Sequence, residues 1–210
     1  MTSATFFTWL SEATFYEQAH AAAVALVPTA NSRWLDVGTG PGVMARLAAE
    51  RGFEVVGYDP SPQMVAAARR GVTRARFEVA SLASLADSGA TAPVVSAASL
   101  LAVLKDRAAA LEALWQCVAP GGTLLLVETT ARMRPGEVFG KLTGRRALGL
   151  LLWALVRRGR SAARDIESFR PPTLSSSTFV PLLGGTLGAW VLVRAPSSSR
   201  SNAVHLEASP

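Results

Sequence analysis

The sequence predicts an α/β fold in which helices cover both faces of a mostly parallel, seven-stranded, doubly wound sheet that closes with an antiparallel hairpin. Two observations support this prediction. Short apolar runs rich in Val, Leu and Phe alternate with stretches of helical pattern, as they do where crossover helices join parallel strands. Gly184 and Gly185 separate the last two apolar runs, and a glycine pair allows a tight turn between antiparallel strands.

Each predicted strand coincides with an apolar run bounded by polar or turn-forming residues. In chain order the strands are Arg33–Val37, Glu54–Asp59, Arg74–Val79, Pro93–Ala97, Gly122–Thr129, Thr178–Leu183 and Leu187–Arg194. Helical patterns occupy the intervals Ala13–Val27, Val43–Arg51, Ser61–Arg70 and Asp106–Val118. The last of these helices begins at an acid, which suits the positive end of the helix dipole, and it ends before Pro120.

The length favours one core rather than two. We therefore predict an α/β domain over residues 31–195, an N-terminal helical cap over residues 1–30 and a Ser-rich, disordered tail over residues 196–210. The first ten residues lack the pattern of a secretory signal, which predicts a cytoplasmic protein. Cys117 is the single cysteine, so an internal disulfide and a cysteine-rich metal site are excluded, and we predict no metal.

Positive charge is concentrated in a predicted helical insertion after the fifth strand, residues 131–170. Ten Lys or Arg residues and three acids fall between Arg132 and Arg170, whereas the whole chain carries +6. The remainder is therefore close to neutral. At the centre of the insertion, residues 147–156 are all apolar or glycine, and arginines flank them on both sides. As a helix this run would extend about 15 Å, half the thickness of a bilayer core.

For residues 145–160 we favour a lid over a lipophilic acceptor, with contact to an anionic membrane contributing. The alternatives are a dimer surface and a buried helix whose arginines mark its solvated ends. The segment does not favour a nucleic-acid surface, because Trp153 is its only aromatic residue and base stacking needs more. The oligomeric state is not predicted.

A glycine-rich loop follows the first predicted strand. The strand Trp34-Leu35-Asp36-Val37 leads directly into glycines at positions 38, 40 and 42, after which a helix begins. Glycine is required where backbone turns sharply or approaches a ligand closely. In a dinucleotide-binding fingerprint the third glycine would stand at position 43, where this chain has Val43. The loop is therefore a weak match to a nicotinamide or flavin site, and an ordinary tight turn is the alternative.

The second predicted strand ends at Asp59, 17 residues after Gly42. In a doubly wound sheet an acid at this place lies beside the first loop and can accept both hydroxyls of a ribose. The same residue could instead cap the helix that begins near Ser61, and the two roles are compatible.

These residues resemble the class I S-adenosylmethionine-dependent methyltransferases, whose fold is Rossmann-like. Leu35-Asp36-Val37-Gly38-Thr39-Gly40-Pro41-Gly42 is similar to the first motif of the family, and the segment from Val56 to Met64 is similar to the second. Ala119-Pro120-Gly121-Gly122 before an apolar strand is similar to the entry into the fifth strand of the family. Three motifs in order are specific to the superfamily but not to any substrate.

The resemblance implies S-adenosylmethionine as cofactor and a contact for each matching residue. Gly38, Thr39, Gly40 and Pro41 would contact the methionine part of the cofactor, and Asp59 would contact the ribose. Pro60, Met64, Ser81 and Leu82 would lie near the adenine, and Ser96 would border the transferable methyl group. Asp36 would order the loop and reach the amino group of the cofactor through water. The family usually has an acid near Ser81, and the Asn-Pro-Pro-aromatic signature of nucleobase and glutamine methyltransferases is absent.

Methyl transfer from a sulfonium depends mainly on alignment, and a base is needed only when the acceptor must lose a proton. Tyr16 and His20 share one face of the first helix, so we predict that Tyr16 closes the methionine pocket and His20 accepts a proton. Glu128 is a further candidate, and for all three a packing or structural role is the alternative.

The sequence therefore predicts a methyltransferase that acts on a small, lipophilic acceptor by in-line transfer. A methyltransferase-like binding module without catalysis is the first alternative, because no base is obvious. A nicotinamide-dependent reductase is the second, and Val43 argues against it.

Overall fold

Seven strands form one sheet in the computed structural model, whose described residues are 13–28, 32–130 and 161–197. The strands are β1 (Arg33–Val37), β2 (Glu54–Asp59), β3 (Arg76–Val79), β4 (Ala92–Ala98), β5 (Val118–Thr129), β6 (Leu174–Leu182) and β7 (Leu187–Arg194). Their order across the sheet is β3-β2-β1-β4-β5-β7-β6.

The first five strands are parallel and the last two run antiparallel to their neighbours. β7 lies between β5 and β6, pairs with both, and is reached from β6 through a short turn at Leu183–Gly185. This arrangement confirms the predicted fold class, including the antiparallel pair at its end. The order of the parallel strands reverses beside β1, and open sheets bind ligands at such a switch point.

Six helices are present among the described residues, three on each face of the sheet. They are α1 (Thr14–Ala25), α2 (Val43–Glu50), α3 (Pro62–Gly71), α4 (Leu82–Asp87), α5 (Arg107–Gln116) and α6 (Ala163–Ser168). The first three pack on one face and the last three on the other. The central strands β1, β4 and β5 are almost continuously buried, as expected where helices cover both faces of a parallel sheet.

The observed elements differ most from the predicted ones in three places, and other bounds shift by one or two residues. β5 begins at Val118 rather than Gly122, because Val118 already pairs with Ala92 across an irregularity in the ladder. β6 begins at Leu174, four residues before the predicted start. α4 was not predicted at all, because its six residues are too few for a helical period, although Ser81 and Ser84 form a capping box at its start.

Most of the predicted insertion and tail lies outside the described residues. Residues 131–160 and 198–210 belong to this part, so the interpretations of residues 145–160 stay predictions. Within the described ranges no helix has the length and apolar character needed to span a membrane. The same ranges contain no group of three or more His, Cys, Asp or Glu side chains that could hold a metal ion.

Candidate functional site

A cavity of about 340 Å³ opens at the carboxyl ends of β1, β2 and β4. It brings together eight of the eleven predicted cofactor residues, namely Asp36, Gly38, Thr39, Gly40, Pro41, Asp59, Pro60 and Met64. Tyr16 and His20 from α1 line it as well. The volume lies within the range of about 300–1,000 Å³ that is typical of small-molecule sites.

The loop after β1 is held against β2 by its own backbone. The N–H groups of Gly38 and Thr39 both donate to the carbonyl oxygen of Tyr58, at 2.8 and 2.9 Å. Gly38 has φ 69° and Gly40 has φ 55°, a left-handed conformation that favours glycine. A Cβ added at Gly40 would meet nothing within 4 Å, so the bare backbone borders open space. The loop therefore offers a ligand close access to main-chain atoms.

Asp59 lies at the end of β2, where its carboxylate is fixed by two backbone donors. Its Oδ2 accepts from Gly40 N at 3.0 Å, and its Oδ1 accepts from Ser61 N at 2.9 Å. Ser61, rather than Asp59, is the N-cap of α3. Because each carboxylate oxygen can accept a second hydrogen bond, Asp59 keeps two acceptor sites for a ligand in the cavity.

Asp36 is a buried carboxylate in the wall of the cavity. Its Oδ2 accepts from the hydroxyl of Thr39 at 2.6 Å and its Oδ1 from the hydroxyl of Ser96 at 2.7 Å. Burial raises the pKa of Asp36 to about 6, while the bonds from Ser96 and Thr39 oppose this increase. Asp36 is thus mostly ionised at neutral pH despite its position in the core.

Three predicted cofactor residues are not among those that line the cavity. Ser96 is fully buried behind Asp36, where its hydroxyl accepts from Trp34 Nε1 at 2.7 Å. Ser81 is exposed and caps α4 by accepting from Ser84 N, and Leu82 is the first residue of that helix. The contacts predicted for these three residues therefore stay predictions.

Tyr16 and His20 stack on each other on the inner face of α1, with their ring centroids 4.0 Å apart. The side chains of Tyr16 and Ser99 share a hydrogen bond, and burial raises the pKa of Tyr16 above its usual range. His20 Nδ1 lies 2.7 Å from the carbonyl oxygen of Tyr16, to which it can only donate. Because burial lowers the pKa of His20 to about 4, the neutral ring keeps its lone pair on Nε2 at neutral pH.

Glu128 is fully buried at the end of β5 and is not among the residues that line the cavity. Its Oε1 accepts from Leu101 N at 2.7 Å, and Ala102 N also donates to the carboxyl group. Burial raises the pKa of Glu128 to about 8, so the side chain is mostly protonated at neutral pH. In this position it anchors the backbone of the loop that follows β4.

That loop supplies a wall of the cavity that the sequence analysis missed. Ser99, Leu100, Val103 and Leu104 line the cavity, and Ser99 has φ 56°, which is uncommon for a residue other than glycine. The available signal was the apolar run from Leu100 to Leu104 between β4 and α5. A loop this apolar at the carboxyl edge of a sheet indicates a pocket wall.

The family model of the methyltransferase domain matches residues 12–176 of the chain. A trans-aconitate 2-methyltransferase from Variovorax paradoxus is 33% identical over 106 residues, which are 50% of this chain and 41% of that protein. A ubiquinone biosynthesis O-methyltransferase from Leptothrix cholodnii is 33% identical over 98 residues, 44% of this chain and 42% of that protein. The chain thus spans less than half the length of these two curated relatives.

Solved structures share the fold at low sequence identity. The N-methyltransferase NodS from Bradyrhizobium japonicum, solved with S-adenosylhomocysteine, has a TM-score of 0.63 and 14% identity, covering 88% of this chain and 89% of NodS. A TehB-like methyltransferase from Corynebacterium glutamicum has a TM-score of 0.53 and 15% identity, covering 84% of this chain and 87% of that one. The family match and the fold together identify the chain as a member of the class I S-adenosylmethionine-dependent methyltransferases.

Proposed function

We propose that the chain transfers the methyl group of S-adenosylmethionine to a small, lipophilic acceptor within the cavity at β1, β2 and β4. The observation that carries this proposal is that a single cavity joins the glycine loop, the carboxylate of Asp59 and an apolar wall. The first two features suit a nucleoside with an amino-acid arm, and the third suits an apolar acceptor. When bound, the cofactor supplies an activated methyl group on its sulfonium.

The residues present fit this cofactor. Asp59 has free acceptor sites at the β2 end of the cavity, where it would accept from the ribose hydroxyls, with Pro60 and Met64 beside the adenine. The bare backbone at Gly38 and Gly40 would lie against the methionine part, close to Asp36. These features support binding of the cofactor where the family motifs predict it.

The apolar wall supports a lipophilic acceptor. Leu100, Val103 and Leu104 contribute it, and no Lys or Arg lines the cavity in the part of the chain that the structure describes. One relative is named for trans-aconitate, which carries several carboxylates. The described wall of this chain is apolar instead, so we propose an acceptor that packs against it through apolar groups.

The chain's own groups would act mainly by orientation. Tyr16 spans from α1 to Ser99 and would close the methionine side of the cavity. His20, with a neutral ring and a free Nε2 lone pair, would take the proton from an acceptor that loses one as it attacks. Glu128 would act through the loop that it anchors rather than on the acceptor.

Calorimetry with S-adenosylhomocysteine tests the cofactor site. We expect Asp59→Ala to lose at least about tenfold in affinity, about 1.4 kcal/mol, because the ribose contacts disappear. Asp87→Ala makes the same chemical change on the exposed surface of α4 and should bind as wild type does. Equal binding by Asp59→Ala and wild type would contradict the placement of the ribose.

Labelled methyl transfer into small-molecule extracts tests catalysis. Transfer to an extractable, uncharged product supports the proposal. Cofactor binding without transfer to any component would favour a methyltransferase-like binding module instead. Tight binding of a nicotinamide cofactor in place of S-adenosylhomocysteine would favour a reductase.

A further inference from the structure

A chain of three hydrogen-bonding side chains leads from the core of the sheet to the cavity. Trp34 Nε1 donates to Ser96 Oγ at 2.7 Å, and Ser96 Oγ donates to Asp36 Oδ1 at 2.7 Å. Trp34 and Ser96 are 0% exposed and Asp36 is 1% exposed. Trp34 and Asp36 belong to β1, whereas Ser96 lies opposite Asp36 on the parallel neighbour β4. We call this chain the Trp34 relay.

The chemistry of Trp34 fixes the direction of every bond in the relay. An indole N–H donates and cannot accept, so the oxygen of Ser96 must accept from it. The single hydroxyl proton of Ser96 is then directed to Asp36 Oδ1, which must accept it. Thr39 donates to the other oxygen, Oδ2, at 2.6 Å. Both oxygens of Asp36 are therefore acceptors, which is the pattern of an ionised carboxylate, and hydrogen bonds to the charged form stabilise it.

We propose that Trp34 and Ser96 are positioning residues that keep Asp36 ionised at the cavity wall, where the resemblance to the family already places it towards the amino group of the cofactor. This inference rests on the proposed function and adds two residues that do not line the cavity themselves. Ser96 thus acts on the cofactor through Asp36. The backbone N–H of Ala45 also donates to Asp36, and the carboxylate, which can accept about four hydrogen bonds, keeps an acceptor site for a donor from the cavity.

The neighbouring ionisable groups make Asp36 the one that changes charge near pH 6. Burial raises the pKa of Asp36 to about 6, and the charge of Asp59 on β2 contributes to the increase. From α1, His20 has its pKa lowered to about 4 by burial, and burial raises the pKa of Tyr16, so both are neutral there. On β5, burial raises the pKa of Glu128 to about 8.

Acidification removes the charge of Asp36 but not that of the ligand. The charge of Asp36 is present above its pKa and is lost as the pH falls through about 6. The ammonium group of the ligand stays positive throughout this range. Binding of a ligand with an amino-acid arm should therefore weaken on acidification, whereas a nucleoside without that arm should be insensitive to Asp36.

The experiment compares two ligands by calorimetry between pH 5 and pH 7.5. S-adenosylhomocysteine carries the amino-acid arm, and 5′-methylthioadenosine carries the same nucleoside without it. For wild type we expect the ratio of their affinities to fall by about tenfold from pH 7.5 to pH 5, one unit below the pKa. The ratio cancels effects that are common to both ligands.

Ser96→Ala is the decisive variant. Removal of one charge-assisted hydrogen bond should raise the midpoint of this pH dependence by about one unit. The ionised fraction at pH 6 then falls from one half to about one tenth, so S-adenosylhomocysteine should bind about fivefold more weakly at that pH. Affinity for 5′-methylthioadenosine should stay within about twofold of wild type. Ser177→Ala, on the exposed part of β6, is the matched control and should change neither ligand.

Trp34→Phe provides a second, independent variant. It keeps an aromatic ring for the edge contact with Phe53, whose centroid lies 4.9 Å away, but it removes the N–H donor. The midpoint should rise in the same direction as in Ser96→Ala and by a smaller amount. If Ser96→Ala does not fold, the result for Trp34→Phe decides.

Two results would overturn the relay. One is an equal loss of affinity for both ligands, which indicates general damage to the pocket. The other is a pH midpoint that neither variant moves. Failure of wild type to bind either ligand would instead refute the proposed function, so the two failures are distinguishable.

Discussion

At the scale of single residues, Gly57 shows that side-chain packing between β1, β2 and β3 affects a hydrogen bond at the cavity. Gly57 on β2 lies between Asp36 on β1 and Phe77 on β3. A Cβ added at Gly57 would lie 2.6 Å from Phe77 Cδ1 and 2.7 Å from Thr39 Oγ1. Because Thr39 Oγ1 is also a donor to Asp36, the absence of a side chain at Gly57 allows the Thr39–Asp36 bond to form.

Substitution of Gly57 by Ala should therefore affect both stability and the site. We expect the free energy of unfolding to fall by about 1–3 kcal/mol, because the added methyl group overpacks the contact. The affinity for S-adenosylhomocysteine should fall as well, because Thr39 moves away from Asp36. Urea denaturation and calorimetry measure the two effects.

Gly71→Ala is the matched control for this prediction. Gly71 ends α3, and a Cβ there would meet nothing within 4 Å. Since Ala is the better helix former, this variant should be as stable as wild type or gain up to about 1 kcal/mol. Equal losses in both variants would contradict the steric argument.

At the scale of elements, α5 connects the cavity wall with the segment that begins at Ser161 and continues into α6. Arg107 in its first turn donates to the carbonyl oxygen of Leu101 in the wall at 3.1 Å, and it pairs with Asp165 of α6 at 3.0 Å. Asp106 caps the helix by accepting from Ala109 N at 3.0 Å. The start of α5 is therefore the junction of three segments.

Loss of the cap at Asp106 should weaken this junction. Asp106→Ala removes the acceptor for Ala109 N, and we expect a loss of about 0.5–2 kcal/mol in the free energy of unfolding. Asp106→Asn keeps an oxygen in the same place and should lose much less. If the two variants lose equally in urea denaturation, the effect comes from the charge rather than the cap.

The sequence predicted those elements that follow a hydrophobic period and missed those features that no such period marks. β1 and β2 have the predicted bounds, because each has an apolar centre and ends at the loop or acid of a binding motif. The early start of β5 depends on pairing with Ala92, which no local pattern indicates. The helix α4 depends on a serine capping box that is common outside helices as well.

The same distinction applies to the site. Residues in the two contiguous motifs, such as Gly38 and Asp59, were predicted, because their spacing alone brings them to one edge of the sheet. The wall from Ser99 to Leu104 has no motif, and its role depends on Glu128 and Arg107 holding its backbone. For Ser96 the predicted contact was with the methyl group, whereas its hydrogen bonds connect it to Trp34 and Asp36.

At the scale of the whole molecule, Glu128 makes the fold sensitive to pH. In the unfolded chain its carboxyl group ionises above its usual pKa of 4.5, whereas burial keeps it protonated in the folded state up to about pH 8. The unfolded state therefore binds fewer protons between these values. Stability should fall as the pH rises through this window.

Glu128→Gln isolates that contribution. The amide keeps an oxygen that accepts from Leu101 N, but it cannot ionise. The free energy of unfolding of the variant should therefore fall less between pH 5 and pH 8 than that of wild type. We expect the variant to gain at least about 1 kcal/mol relative to wild type at pH 8. Urea denaturation at both pH values checks this. Asp36 is present in both proteins, so its titration cancels from the difference between them. Parallel pH profiles would contradict the buried, protonated state of Glu128.

The position of β7 between β5 and β6 has a consequence for biosynthesis. Among the described residues that follow β5, β7 is the strand that pairs with Leu124–Val127, so this edge of β5 awaits β7 after it has emerged from the ribosome. Translation at about 5–20 residues per second makes this interval several seconds long. Throughout it the nascent chain displays an apolar, unpaired edge, which is the kind of surface that chaperones bind and aggregation starts from.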